Sequence, residues 1–73
     1  MPPLPVISGR HAVKVFEAAG WRIARQRGSH IIMTKLDGFV TLAVPDHNEL
    51  ARGTLRKLIR LADMTVDHFT NLM

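Results

Sequence analysis

The sequence predicts an α+β domain in which a three-stranded antiparallel sheet is covered by helices on one face. Apolar residues recur at three- and four-residue spacing near both ends of the chain, which is typical of amphipathic helices. The middle of the chain is rich in β-branched and aromatic residues, and Gly28 and Asp37-Gly38 interrupt it as turn signals. With 73 residues, the chain is expected to form one domain over residues 1–73.

The first helix is predicted to run from Ser8 to about Ala19. Prolines at positions 2, 3 and 5 keep the preceding residues extended, and serine is a favourable N-cap residue. Gly20 is expected to end the helix. The apolar face consists of Ala12, Val13, Phe16 and Ala19.

Three strands are predicted next, over 21–27, 29–35 and 39–44, with Gly28 in the first turn and Asp37-Gly38 in the second. Residues that alternate along a strand share a face. One such set is Val40, Leu42 and Val44, and another is His30, Ile32 and Thr34. The pattern leaves open whether His30 points towards the core, since a bulge at Gly28 would change the alternation.

The remaining chain predicts two helices. Pro45 ends the sheet, Asp46 or Asn48 offers a cap for the turn that follows, and Thr54 is expected to open the second helix. Its apolar stripe is Leu55, Leu58, Ile59 and Ala62. Thr65 is expected to cap a short helix over 66–72, with Phe69 and Leu72 returning to the core. The order α-β-β-β-α plus a short C-terminal helix is the plan of a double-stranded-RNA-binding-like fold.

The charge of the chain favours a polyanionic partner. Ten Lys and Arg residues against six Asp and Glu give a net charge of +4. An arginine row, with Arg52, Arg56 and Arg60 four residues apart, lies along one face of the second helix. Like charges at this spacing repel one another, so the row predicts an acidic binding partner, with a solvated basic face as the alternative.

Composition also predicts what this protein lacks. The chain has no cysteine, and His11, His30, His47 and His68 share no close metal-type spacing, so we expect no metal site and no cofactor. The N-terminus has no signal-peptide pattern, and no segment approaches the ~20 apolar residues of a membrane span. A cytoplasmic protein that does not contact a membrane is therefore expected.

The tripeptide Gly28-Ser29-His30, directly after Arg25-Gln26-Arg27, is the strongest indication of chemistry. Histidine transfers protons near neutral pH, and neighbouring guanidinium groups would hold a phosphodiester against it. We therefore predict RNA cleavage with His30 as the catalytic acid or base, although a histidine beside arginines can also be a plain surface residue. The predicted RNA-binding residues are Arg25, Arg27, Gly28, Ser29 and Lys35.

The other histidines and the aromatic residues are given structural interpretations. The imidazole of His47 is expected to tie down its loop by hydrogen bonding to the backbone, and His11 and His68 are expected on the surface. Trp21 and Phe39 could stack on bases, but in so small a chain we expect both in the core.

Several motifs in order resemble the HicA-type mRNA interferase toxins. They are Arg27-Gly28-Ser29-His30, Val44-Pro45-Asp46-His47, the segment 49–55, and Ala62-Asp63-Met64-Thr65 followed by Phe69. The resemblance implies the double-stranded-RNA-binding-like fold, metal-independent cleavage of mRNA that inhibits translation, and a catalytic histidine at His30. It also implies neutralisation by a HicB-type antitoxin, with the toxin alone monomeric and the complex of higher order. Asp63 departs from the family, which commonly has glycine there.

Two other classes of function are compatible with the same residues. A non-catalytic RNA-binding module would use the same fold and basic surface without cleaving RNA. A protein-interaction module would bind an acidic protein through the arginine row and would have no affinity for RNA.

Overall fold

A computed structural model describes residues 3–36 and 38–73, and it confirms the α+β fold with the predicted order of elements. The elements are α1 (Gly9–Ala18), β1 (Arg22–Arg27), β2 (His30–Thr34), β3 (Thr41–Pro45), α2 (Arg52–Leu61) and α3 (Val66–Asn71). The strands form one antiparallel sheet in the order β1-β2-β3. No helix in the described part of the chain is long and apolar enough to cross a membrane.

The two faces of the sheet differ in burial. Ile31 and Met33 on β2 and Leu42 and Val44 on β3 are buried in the core formed with the helices. Residues directly opposite each other on neighbouring strands share a face. His30 alternates with the buried Ile31 and is exposed, so it lies on the side of the sheet opposite to the core. We call this exposed side of the sheet the open face. The sequence left the orientation of His30 undecided, and the structure places it on the open face.

The ends of α1 lie where the sequence predicts them. The Ser8 hydroxyl accepts a hydrogen bond from the His11 N–H at 3.0 Å, which satisfies one of the free donors of the first turn. At the other end, Gly20 has a φ of 99°. The Trp21 N–H bonds to the Phe16 carbonyl at 3.0 Å, which completes the glycine-terminated helix end known as a Schellman motif.

The start of α2 differs from the prediction. The helix begins at Arg52 rather than Thr54, and its N-cap, Ala51, makes no side-chain capping bond. The cause is tertiary: Leu50 is buried, and its N–H bonds to the Ile7 carbonyl at 2.8 Å, which holds the chain immediately before the helix. The predicted apolar stripe of α2 is buried as expected.

The terminal helix confirms its predicted cap and anchor. The Thr65 hydroxyl accepts a hydrogen bond from the His68 N–H at 3.0 Å. Phe69 is completely buried, and its ring meets that of Phe16 edge to face, with centroids 5.2 Å apart. Such an aromatic pair contributes ~1 kcal/mol beyond the area it buries. The short helix is thereby fixed to the core.

The connection between β2 and β3 overturns the expectation for Phe39. The strand begins at Thr41 rather than at residue 39, and Phe39 is 97% exposed. Core positions are already filled by Leu42, Val44 and the two buried phenylalanines, while Phe39 lies beyond the end of the sheet. Gly38 has a φ of 73°, consistent with the predicted turn, whereas Asp37 lies outside the described residues. Trp21, by contrast, is buried as predicted.

Asp63 ends α2 in a conformation that favours glycine. Its φ is 58°, and bonds from the Asp63 N–H to the Arg60 carbonyl and from the Met64 N–H to the Ile59 carbonyl form a second Schellman motif. We expect Asp63→Gly to raise the free energy of unfolding by ~0.5 kcal/mol, because relief of the left-handed strain exceeds the added freedom of the unfolded chain. Urea unfolding measures the change.

The control for this prediction is Asp63→Ala, which removes the same charge but keeps a Cβ atom. We expect the alanine variant to be about 1 kcal/mol less stable than the glycine variant. Equal stability of the two variants would show that charge, not backbone conformation, governs this position.

Candidate active site

His30 is the first residue of β2, directly after a two-residue turn formed by Gly28 and Ser29. Gly28 has a φ of 57°, and a positive φ at the first central position is typical of a type II′ hairpin turn. His30 pairs with Arg27 on one side and with Pro45 on the other. The imidazole therefore lies on the middle strand, at the end of the sheet where β1 meets β2.

Two arginines share the open face with His30. Arg27 is directly opposite His30, and Arg25 is opposite Ile32. Opposite residues on antiparallel strands have Cβ atoms ~5 Å apart on the same face. Both guanidinium groups belong to exposed residues. The structure therefore brings Arg25 and Arg27 together with His30, as the sequence interpretation requires.

A β-bulge decides which way these arginines point. Ile23 pairs with the buried Met33, and the register then shifts between Ile23 and Arg25. Without the extra residue, strand alternation would place Arg25 and Arg27 on the helix-covered face with Ile23. The bulge lies at this point rather than at Gly28, and it transfers both charges to the open face.

Asp46 ties the His30 turn to the rest of the domain. Its backbone N–H bonds to the Ser29 carbonyl, and its carboxylate accepts a bond from Arg10 at 3.0 Å. Gln26 bridges the two parts, with Nε2 at 3.2 Å from the Gly28 carbonyl and at 3.4 Å from the Asp46 carboxylate. The suggested capping role of Asp46 is therefore wrong. Its side chain joins α1 to the end of β1, and this contact holds the turn.

Lys35 lies apart from this cluster. It follows β2 at the end opposite to His30, five residues along, which corresponds to ~16 Å in an extended strand. Its Nζ lies 5.5 Å from the centre of the Trp21 ring, an arrangement typical of a cation–π contact. The structure therefore separates Lys35 from His30, Arg25 and Arg27.

The loop around His47 is held by backbone rather than by imidazole. The Gly9 N–H bonds to the His47 carbonyl at 2.9 Å. The His47 side chain is exposed and makes no hydrogen bond within the described residues, so the predicted imidazole tie is wrong. Gly9 lets the two backbones approach closely enough for the direct bond. His11 and His68 are exposed, as predicted.

A groove extends from His30 to α2, and we call it the α2 groove. It has a volume of about 370 Å³ and is lined by His30, Thr41, Ala43, Pro45, Thr54, Lys57, Leu58 and Leu61. The sequence analysis did not single out Lys57 as a site residue. The available signal was spacing, because Thr54, Lys57 and Leu61 recur at i, i+3 and i+7 and so share one side of the helix.

The arginine row occupies a different side of α2. Arg52, Arg56 and Arg60 are all exposed, and none of them lines the α2 groove. Within residues 3–36 and 38–73, no three His, Asp or Glu side chains come together in a way that could hold a metal ion. Beside His30 lie Arg25 and Arg27 on β1, and Thr54 and Lys57 line the α2 groove with it.

Comparison of the sequence with protein families identifies the group to which the chain belongs. Residues 9–64 match the family described as the HicA toxin of bacterial toxin–antitoxin systems. The chain belongs to this toxin family. No curated protein matches the sequence. The matched span contains His30, Arg25, Arg27 and Lys57, and it stops before α3. Membership supports a role as the toxin of a toxin–antitoxin pair and confirms the resemblance seen in the sequence.

Proposed function

We propose that this toxin is a metal-independent endoribonuclease that cleaves mRNA in the cytoplasm and so inhibits translation. The observation that carries the proposal is the position of His30 on the open face, directly opposite Arg27 and tied through its turn to Asp46. Membership of the toxin family supports the same assignment. The fold alone would be equally compatible with RNA binding without catalysis.

The proposed reaction is transesterification at a phosphodiester. His30 accepts the proton of the ribose 2′-hydroxyl, the 2′-oxygen forms a bond to phosphorus, and the bond from phosphorus to the 5′-oxygen breaks. The leaving oxygen takes a proton from the imidazolium or from water. The products are a 2′,3′-cyclic phosphate and a 5′-hydroxyl. Arg27 and Arg25 would offset the charge that develops on the phosphate oxygens.

A single histidine at the site sets an expectation for the rate. Proton transfer by one positioned group contributes ~10²- to 10⁴-fold, and a second group would contribute a further factor. In the proposed mechanism, either His30 serves both steps in turn or water supplies the second proton. The enzyme is therefore expected to be slow compared with a ribonuclease that has two catalytic histidines.

The decisive experiment is incubation of the purified protein with labelled single-stranded RNA in EDTA, followed by analysis of the product ends. We expect cyclic phosphate and 5′-hydroxyl ends, and no cleavage of a matched oligonucleotide that has 2′-deoxyribose throughout. RNA that is bound but remains intact would instead support the non-catalytic RNA-binding module.

The proposed antitoxin is a HicB-type protein that binds the arginine row. These three exposed cations repel one another along α2, and an acidic surface would remove that repulsion. We expect the double variant Arg56→Gln/Arg60→Gln to weaken the complex ~10-fold or more and to reduce its dependence on salt. Calorimetric titration with the antitoxin checks this prediction. An unchanged affinity would place the antitoxin elsewhere on the toxin.

A further inference from the structure

The side of α2 that faces the α2 groove carries a cation that the proposed mechanism does not yet use. Lys57 is exposed and lines the same groove as His30. It lies on α2, whereas Arg25 and Arg27 lie on β1. Positively charged side chains therefore lie on both sides of His30, from β1 and from α2. A single strand that crosses the open face from β1 to α2 would meet Arg25 or Arg27, then His30, then Lys57.

The walls of the groove suit a nucleotide better than they suit a free anion. Ala43 and Pro45 on β3 and Leu61 on α2 offer apolar surface, and Thr41 and Thr54 also line the space. A volume of about 370 Å³ falls within the ~300–1,000 Å³ that is usual for small-ligand sites. Apolar walls can contact the flat face of a base, while an ammonium group pairs with phosphate.

We propose that the α2 groove seats the nucleotide next to the scissile phosphate, with Lys57 bound to the phosphate of that nucleotide. This inference rests on the proposed ribonuclease function for its substrate, single-stranded RNA. Lys57 and the β1 arginines then hold the backbone on both sides of His30. Two fixed phosphates restrict the strand more than one does, and this restriction orients the 2′-hydroxyl towards the imidazole.

The test measures RNA binding separately from cleavage. A fluorescent 2′-O-methyl RNA oligonucleotide cannot be cleaved by transesterification, and its affinity can be followed by anisotropy over a range of salt concentrations. We expect Lys57→Gln to weaken binding roughly five- to tenfold at low salt. The plot of log affinity against log salt should become shallower by about 0.7, which is the contribution of one phosphate contact on a single strand.

The matched control is Lys14→Gln, which removes the same charge from an exposed position on α1. Lys14 is exposed on α1, and it is not among the residues that line the α2 groove. We expect this variant to leave the salt slope unchanged. Lys57→Arg, which keeps the charge, should recover most of the affinity. Circular dichroism of each variant verifies that it is folded.

A second variant tests the groove without changing charge. Ala43 is exposed on the open face, so Ala43→Leu should fold normally and occupy part of the groove. We expect weaker binding with an unchanged salt slope. If this variant binds RNA with normal affinity, the nucleotide does not occupy the groove and the proposal is overturned.

The outcomes separate this inference from the proposed enzyme activity. If Lys57→Gln binds like Lys14→Gln, the inference is overturned whether or not the wild type cleaves RNA. If both groove variants behave as expected but natural RNA stays intact, the groove is an RNA site and the ribonuclease proposal fails. If the wild type binds no RNA even at low salt, both proposals fail.

Discussion

Gly9→Ala is expected to lower the free energy of unfolding by ~3 kcal/mol, a large part of the stability of so small a domain. Gly9 is buried at the start of α1, where a Cβ atom would lie only 1.8 Å from the Pro45 carbonyl oxygen. The obstructing atom belongs to the backbone at the end of β3, so no side chain can rotate to make room. Urea unfolding should show the loss, with Tm falling by roughly 10–20 °C.

The matched control for this prediction is Gly53→Ala in the first turn of α2. A Cβ atom at Gly53 would have no neighbour within 4 Å. Alanine favours the helix over glycine by ~0.5–1 kcal/mol, so this variant should be slightly more stable than the wild type. Replacement of glycine by alanine is therefore expected to lower the free energy of unfolding at the start of α1 and to raise it at the start of α2. A mild effect at Gly9 would show that α1 can move away from β3 without loss of packing.

His30→Gln is expected to reduce the rate of RNA cleavage by ~10²- to 10⁴-fold, which corresponds to about 3–5 kcal/mol in the activation free energy. Glutamine can still form hydrogen bonds, but it cannot act as a general acid or base near neutral pH. Because His30 is exposed and packs in no core, the variant should unfold at nearly the same urea concentration as the wild type. Single-turnover cleavage of labelled RNA measures the effect.

The control for this prediction is His11→Gln. His11 is exposed on α1, and only its backbone N–H takes part in the Ser8 cap, so its imidazole has no role in the site or in helix capping. We expect its cleavage rate to match the wild type. Binding of a 2′-O-methyl oligonucleotide should be nearly unchanged in both variants. Full cleavage by His30→Gln would return His30 to the role of a surface turn residue.

The turn at Asp63 is a feature that could be predicted from the neighbouring sequence alone. The sequence indicates that the turn after α2 must form without glycine, and the observed φ of 58° confirms that this position adopts the glycine-favouring conformation. The bonds of this turn join residues three and five apart in sequence, so the relevant physics is local. The caps at Ser8 and Thr65 were predictable for the same reason.

The expectations that failed depend on neighbours distant in sequence. Asp46 was considered a cap, but its carboxylate bonds to Arg10, 36 residues away, and to Gln26, 20 residues away. Phe39 was expected in the core because it is large and apolar. Burial, however, depends on which positions the sheet and helices have already filled, and composition does not contain that information.

The sequence by itself determined the order of elements, the caps of α1 and α3, the apolar faces of the helices and the turn that precedes His30. Each of these follows from residues within one or two turns of chain. Only the tertiary structure decided that His30 lies on the open face, that the bulge at Ile23–Arg25 turns Arg25 and Arg27 to the same face, and that Lys57 shares a groove with His30. Strand register and helix placement are set by packing between distant segments, and a shift of one residue in either would separate these groups.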